Sequence, residues 1–111
     1  MKNQNKTLVR IIVIAISIIT NLLSPELEAF DNNQPTLLIT GSNRNIGLEF
    51  VKQYSEKKWN VIATTRSPES SIDLNDFAKK NPNVVVEKLD VTSNKDINAL
   101  AEKYSDQAID L

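Results

Sequence analysis

"TLLITGSNRNIGLEF", Thr36 to Phe50, contains both glycines of a 111-residue chain. Uncharged, mostly apolar residues run from Thr36 into Thr40-Gly41 and read as a short buried strand. Asn45 to Lys58 then has helical spacing: Gly47, Phe50, Val51 and Tyr54 share one face, and Glu49, Lys52 and Glu56 share another. The glycines therefore bracket a strand-to-helix turn. Gly41 would let the backbone turn tightly, and Gly47, on the apolar stripe, would let the helix lie close to a sheet. The start of such a helix offers free N–H groups and a partial positive charge, which suit a phosphate. The alternative is an ordinary βα turn with a packing glycine. A P-loop is excluded, because no Gly-Lys-Ser/Thr follows.

Outward from this stretch, Asn60 to Arg66 ("NVIATTR") is β-branched and predicts a second strand. Ser70 to Lys80 predicts a short helix, with Ser70 and Asp73 as a capping pair, Leu74, Phe77 and Ala78 as the apolar stripe, and Pro82 as the stop. Asn83 to Val91 predicts a third strand built on Val84, Val85 and Val86. Ser93 with Asp96 caps a third helix, whose expected face is Ile97, Leu100, Ala101 and Tyr104, and Ile109-Asp110-Leu111 begins a fourth strand. The order β-α-β-α-β-α-β implies a doubly wound α/β fold: a parallel sheet of three to four strands, right-handed crossovers and helices on both faces.

The N-terminus belongs to a different class. Met1 to Arg10 carries Lys2, Lys6 and Arg10 and no acid, Ile11 to Leu23 is almost wholly apolar, and Ser24-Pro25 breaks the run. The apolar run is shorter than the roughly 20 residues of a membrane-spanning helix. Residues 1–29 are therefore expected to be a cleaved secretory signal or, uncleaved, an anchor that would bring the chain to a membrane, with residues 30–35 as a linker. Either reading exports the remainder, with a cytoplasmic location as the alternative. Composition narrows the chemistry. The chain has no cysteine and no histidine, so thiolate metal sites and Ser/His or Cys/His nucleophiles are excluded, and no metal site is expected. A formal net charge of −1 gives no reason to expect a nucleic-acid partner.

"TGSNRNIG" (Thr40 to Gly47) is similar to the T-G-x-x-x-G-x-G fingerprint of the short-chain dehydrogenases/reductases. "ATTR" (Ala63 to Arg66) and "LDVT" (Leu89 to Thr92) sit where that family keeps its next two cofactor motifs. The whole stretch from Pro35 to Leu111 resembles the carbonyl-reductase or C-factor-like branch. The resemblance implies a Rossmann-type dinucleotide domain over residues 36–111. Its cofactor-binding residues would be Gly41, Ser42, Asn43, Arg44, Asn45, Ile46 and Gly47 in the turn, with Arg66, Asp90 and Val91 beyond it. Ser42 and Arg44 would contact phosphate, and Asp90 would accept from the adenine amino group with Val91 flanking the ring. The departure is Asn45, where the family has glycine. Asparagine takes positive φ readily, but its carboxamide stands where the backbone would meet a diphosphate, as a donor or as an obstruction.

Charge decides the expected cofactor. An acid at the end of the second strand would favour NAD; this chain has Arg66 there, and a guanidinium suits the extra phosphate of NADP. The family transfers hydride between NADP(H) and a carbonyl or alcohol, using a tyrosine and a lysine four residues later. The one Y-x3-K here, Tyr54 to Lys58, falls on the first helix with Tyr54 facing the sheet, so no catalytic residue is assigned. The chain is thus expected to be the N-terminal cofactor half of a longer reductase, which alone would meet a small carbonyl or alcohol substrate. A nucleotide-binding module and a non-functional fragment are the alternatives. Because strand four would pair with strand one, its brevity is expected to leave a sheet edge open to self-association.

Overall fold

Three short β-rich segments pair side by side in the computed structural model, which describes residues 30–111. The expected signal or anchor lies outside these residues. The elements are β1 (Thr36–Ile39), α1 (Asn45–Glu56), β2 (Asn60–Thr65), a 3₁₀ turn (Pro68–Ser70), α2 (Ile72–Lys80), β3 (Val84–Lys88) and α3 (Asn94–Lys103). All strands are parallel in the order β1-β2-β3, with Leu37 level with Val61 and Val61 level with Val84. This is a small α/β domain in which each strand is followed by a helix, the pattern of a Rossmann-type half-domain.

Alternation along the strands assigns the two faces. Leu37, Val61, Ala63 and Val84 point to one side, where they bury Leu48 and Val51 of α1 and Leu74 of α2. Val51 and Leu74 are fully shielded from solvent, and burial of a side chain of this size contributes about 1.5–3 kcal/mol. On the other side, Leu38 and Leu89 meet Leu100 and Tyr104 of α3. Beyond α3, the Asp110 N–H donates to the Thr36 carbonyl (2.9 Å) and the Leu38 N–H donates to the Leu111 carbonyl (2.8 Å). The C-terminal residues thus lie along β1 on the side away from β2, where a fourth strand was expected, although they form no assigned strand.

Several local expectations change. Phe50 does not join the buried stripe of α1. It is 45% exposed, and the inward face is Leu48, Val51 and Ser55 with Tyr54 beside them. Gly47 faces the backbone of the preceding turn at Gly41 and Ser42. Ser70 and Asp73 make no cap, because Ser70 belongs to the 3₁₀ turn and α2 starts after Ser71. The Ser93 hydroxyl does cap α3, accepting from the Asp96 N–H at 3.2 Å. Ile97 and Ala101 of α3 remain exposed, so only the Leu100–Tyr104 part of the expected face is covered. Residues 31–35 are held against the sheet: the Asn60 carboxamide donates to the Asp31 carbonyl (2.8 Å) and accepts from the Asp31 N–H (2.9 Å).

The end of α1 has a defined geometry. The Trp59 N–H donates to the Tyr54 carbonyl (3.2 Å) and the Lys58 N–H to the Ser55 carbonyl (3.0 Å), the two bonds of a Schellman motif. The Trp59 and Tyr54 rings meet edge-on at 4.9 Å, supplying its apolar contact. The motif requires a left-handed residue, and Lys58 occupies it at φ 67°. A Cβ in that region costs about 1–2 kcal/mol, part of which the greater unfolded-chain entropy of glycine returns. Lys58→Gly is therefore expected to stabilise the domain by about 0.5–1 kcal/mol, read as a rise in the urea midpoint with unchanged m-value.

Candidate functional site

At the carboxyl ends of all three strands lies a cleft of about 650 Å³. Thr40, Gly41, Asn43, Arg44, Asn45, Ile46 and Gly47 line it from the first turn, Thr65, Arg66, Ser67 and Ser70 from beyond β2, and Leu89 and Val91 from beyond β3. In an open parallel sheet this end is where connecting loops diverge and ligands enter.

Each glycine has its own physical reason. Gly41 sits at φ 62°, with nothing within 4 Å of where a Cβ would be, so a side chain there would be strained by backbone conformation and not by space. Gly47 is the reverse case. A Cβ there would lie 2.0 Å from the Gly41 carbonyl oxygen and 2.8 Å from its carbon. The bare Cα of Gly47 is what lets the first turn of α1 rest on the backbone of the loop before it. Asn45 takes φ 52°, as its residue type allows, and its carboxamide lines the cleft without a hydrogen-bond partner among the described residues. The backbone N–H groups of Asn45, Ile46 and Gly47 likewise make no hydrogen bond there. The start of α1 therefore presents unpaired donors to the cleft, which with the helix dipole favour an anion.

Arg66 is exposed and lines the cleft with Ser67 from beyond β2, and Arg44 lines it from the first turn. Two predicted site residues stand elsewhere. Ser42 is fully buried and does not line the cleft: its hydroxyl donates to the Ile39 carbonyl (2.9 Å) and its N–H to the Thr64 carbonyl (3.0 Å). The hydroxyl and the N–H expected to reach a phosphate are both engaged within the fold here. Asp90 lies between two cleft residues, but its carboxylate turns back to accept from the Thr92 hydroxyl (2.7 Å) and the Thr92 N–H (2.9 Å). Those bonds, the hydroxyl first, hold the Asp90 carboxyl below its usual pKa, with a smaller contribution from the Arg66 charge. The Asp96 carboxylate in turn accepts from the Asp90 N–H at 3.0 Å, tying the β3 exit to the start of α3.

Thr40, Thr65, Ser67, Ser70 and Leu89 were not expected in the cleft. A hint for Ser67 and Ser70 lay in their place just after Arg66, where a chain leaving a strand end stays near the ligand side. Tyr54 and Lys58, by contrast, lie outside the cleft: Tyr54 packs against the core and Trp59, and Lys58 serves the helix end.

Two outcomes are expected from this geometry. Gly47→Ala must displace the Gly41 carbonyl and should cost roughly 3 kcal/mol or more, measured by chemical denaturation. Asp90→Asn removes a carboxylate whose folded pKa is depressed. The stability difference between wild type and variant should be fully present above the ordinary aspartate pKa and vanish as the pH falls through the lower folded value, read from melting temperatures across an acid titration.

Comparison with known proteins places the chain in a family. The profile of the short chain dehydrogenase family matches residues 35–111. The uncharacterized oxidoreductase C663.09c of Schizosaccharomyces pombe is 40% identical over 73 residues, covering 65% of this chain and 28% of that protein. The chain therefore spans less than a third of the length of this relative. Among solved structures, an NADPH-bound carbonyl reductase from chicken fatty liver is 28% identical with a TM-score of 0.61, over 77% of this chain and 35% of the other. A carbonyl reductase from Pseudomonas aeruginosa PAO1 in complex with NADP shares the fold at a TM-score of 0.66 and 23% identity, over 69% of this chain and 36% of the other. From the glycine turn through the third strand, the chain belongs to the short-chain dehydrogenase family.

Proposed function

We propose that this chain forms the cofactor-binding part of an NADP-dependent reductase of the family, acting in hydride transfer between NADP(H) and a carbonyl or alcohol. The observation that carries the reading is that one cleft joins the glycine turn, with its unpaired N–H groups, to the Arg66 guanidinium across the ends of three adjacent strands. The turn and the first residues of α1 hold the diphosphate, with the Asn45 carboxamide as a further donor. Arg66 and Arg44 recognise the 2′-phosphate, and Val91 offers an apolar surface to the adenine. Asp90 stays ionised and shapes the β3 exit; its second carboxylate oxygen is the acceptor left for the adenine amino group. The NADPH-bound state of the similar carbonyl reductase supports this choice of dinucleotide.

The bound dinucleotide supplies the hydride; the residues of this chain bind and orient it. Among the described residues, the cleft lining offers hydroxyls of serine and threonine but no tyrosine, and its charged groups are arginines, so we assign no proton donor for carbonyl reduction there. In this reading the chain binds cofactor and does not turn over alone.

Titration with NADPH followed by nicotinamide fluorescence tests the proposal. Saturable binding is expected, with NADH weaker. Arg66→Asp should weaken NADPH by about 10–100-fold while leaving NADH within a few-fold, the effect of exchanging one charge-assisted phosphate contact for a repulsion. Equal loss for both dinucleotides, or no saturation by wild type, overturns the assignment.

A further inference from the structure

The turn that lines the cleft is held from behind by two hydroxyls that never reach the cleft. Ile39 ends β1, and its carbonyl accepts from the Ser42 hydroxyl at 2.9 Å and from the Thr64 hydroxyl at 2.9 Å. In most tight turns the fourth residue's N–H would close the loop onto the first carbonyl. Here the Ser42 hydroxyl takes that place across Thr40-Gly41, and the Ser42 N–H is released to donate to the Thr64 carbonyl at 3.0 Å. Thr64 thus meets the turn with both its side chain and its backbone. Both residues are fully buried, and neither lines the cleft.

This arrangement solves a specific problem. A loop containing Gly41 at φ 62° and Asn45 at φ 52° has little intrinsic preference for one conformation, and its outward N–H groups have no partners to fix it. An unclamped loop would have to be ordered when an anion binds, at an entropic cost that weakens binding. Burying the Thr64 hydroxyl in the β2 strand without a partner would be unfavourable, so it is committed to Ile39, and the turn cannot leave without stranding it. On the other side, the Gly41 carbonyl rests against the Cα of Gly47.

We propose that Thr64 is a positioning residue for the cofactor cleft: with Ser42, it bolts the glycine turn to β2 and orders it before any ligand arrives. The proposal rests on the NADP reading above for its functional consequence, but not for its structural one.

The test uses Thr64→Val, which keeps the branched shape and removes the hydroxyl, in the full chain. Amide hydrogen exchange read by NMR at Ser42 should speed up by about tenfold or more, while amides of Val85 and Val86 in β3 stay near wild type. NADPH affinity should fall about tenfold as the turn loses its preset order. Thr64→Ser, which restores the donor, should return both readouts close to wild type. Ser42→Ala removes the partner hydroxyl while leaving Thr64 intact, and should move Ser42 exchange in the same direction, which keeps the test open should Thr64→Val not fold. Unchanged exchange at Ser42, or an increase shared equally by β3, overturns the clamp. Should wild type fail to bind NADPH, the cofactor assignment falls by itself, and the exchange measurements still decide whether Thr64 orders the turn.

Discussion

The contact between the Gly41 carbonyl and the bare Cα of Gly47 sets the geometry of everything around the cleft. With a Cβ at Gly47 only 2.0 Å from that oxygen, α1 could not start where it does. The helix start, its unpaired N–H groups and the position of Asn45 all follow from that approach. In the same helix Leu48 and Val51 point inward and Phe50 stays outside. A packing constraint of one missing methyl group thereby couples the anion-facing loop to the hydrophobic core.

The rest of the domain supports this turn from behind. β2 holds it through Thr64, as three hydrogen bonds converge between Ile39, Ser42 and Thr64. β2 is itself the central strand of the three and is buried along its whole length, which makes it the most rigid base available. At the far end of the strands, the Asn60 and Asn83 carboxamides bind backbone carbonyls of the chain before β1 and at the end of α1. Fixing these asparagines inside the fold leaves no buried side-chain polar atom unpaired among the described residues. The cleft end shows the opposite economy: the backbone donors at the start of α1 have no partner among the described residues.

The face carrying α3 is less complete. Ile97, Ile109 and Leu111 remain partly exposed, beside a groove lined by Leu38, Leu89, Leu100 and Tyr104. The C-terminal residues reach β1 with only a few hydrogen bonds. A half-domain with this arrangement has one well-filled layer, between the sheet and the α1–α2 pair, and one thinly covered layer. The glycine turn belongs to the first, which is why its geometry is well defined even though the second is sparse.

Local physics made much of this legible from the amino-acid order. Apolar and β-branched runs, helical spacing, the proline after α2 and the Ser93 cap specified the elements and their sequence. Positive φ at Gly41 and Asn45 was readable because only those residue types tolerate it well. The Arg66 position followed from counting along a strand. Tertiary structure alone decided which of the neighbouring side chains enter the cleft. Ser42 and Asn43 are adjacent in sequence, yet one is bolted to Ile39 inside the fold and the other lines the cleft, because β2 passes behind the turn and offers Thr64 there. Phe50 and Val51 share a helical stripe on paper, but only Val51 is buried against the sheet. Lys58 would read as an ordinary surface lysine until the Schellman bonds show it in a left-handed conformation. In each case the deciding quantity is a distance between segments far apart in the chain, and a one-dimensional pattern does not contain it.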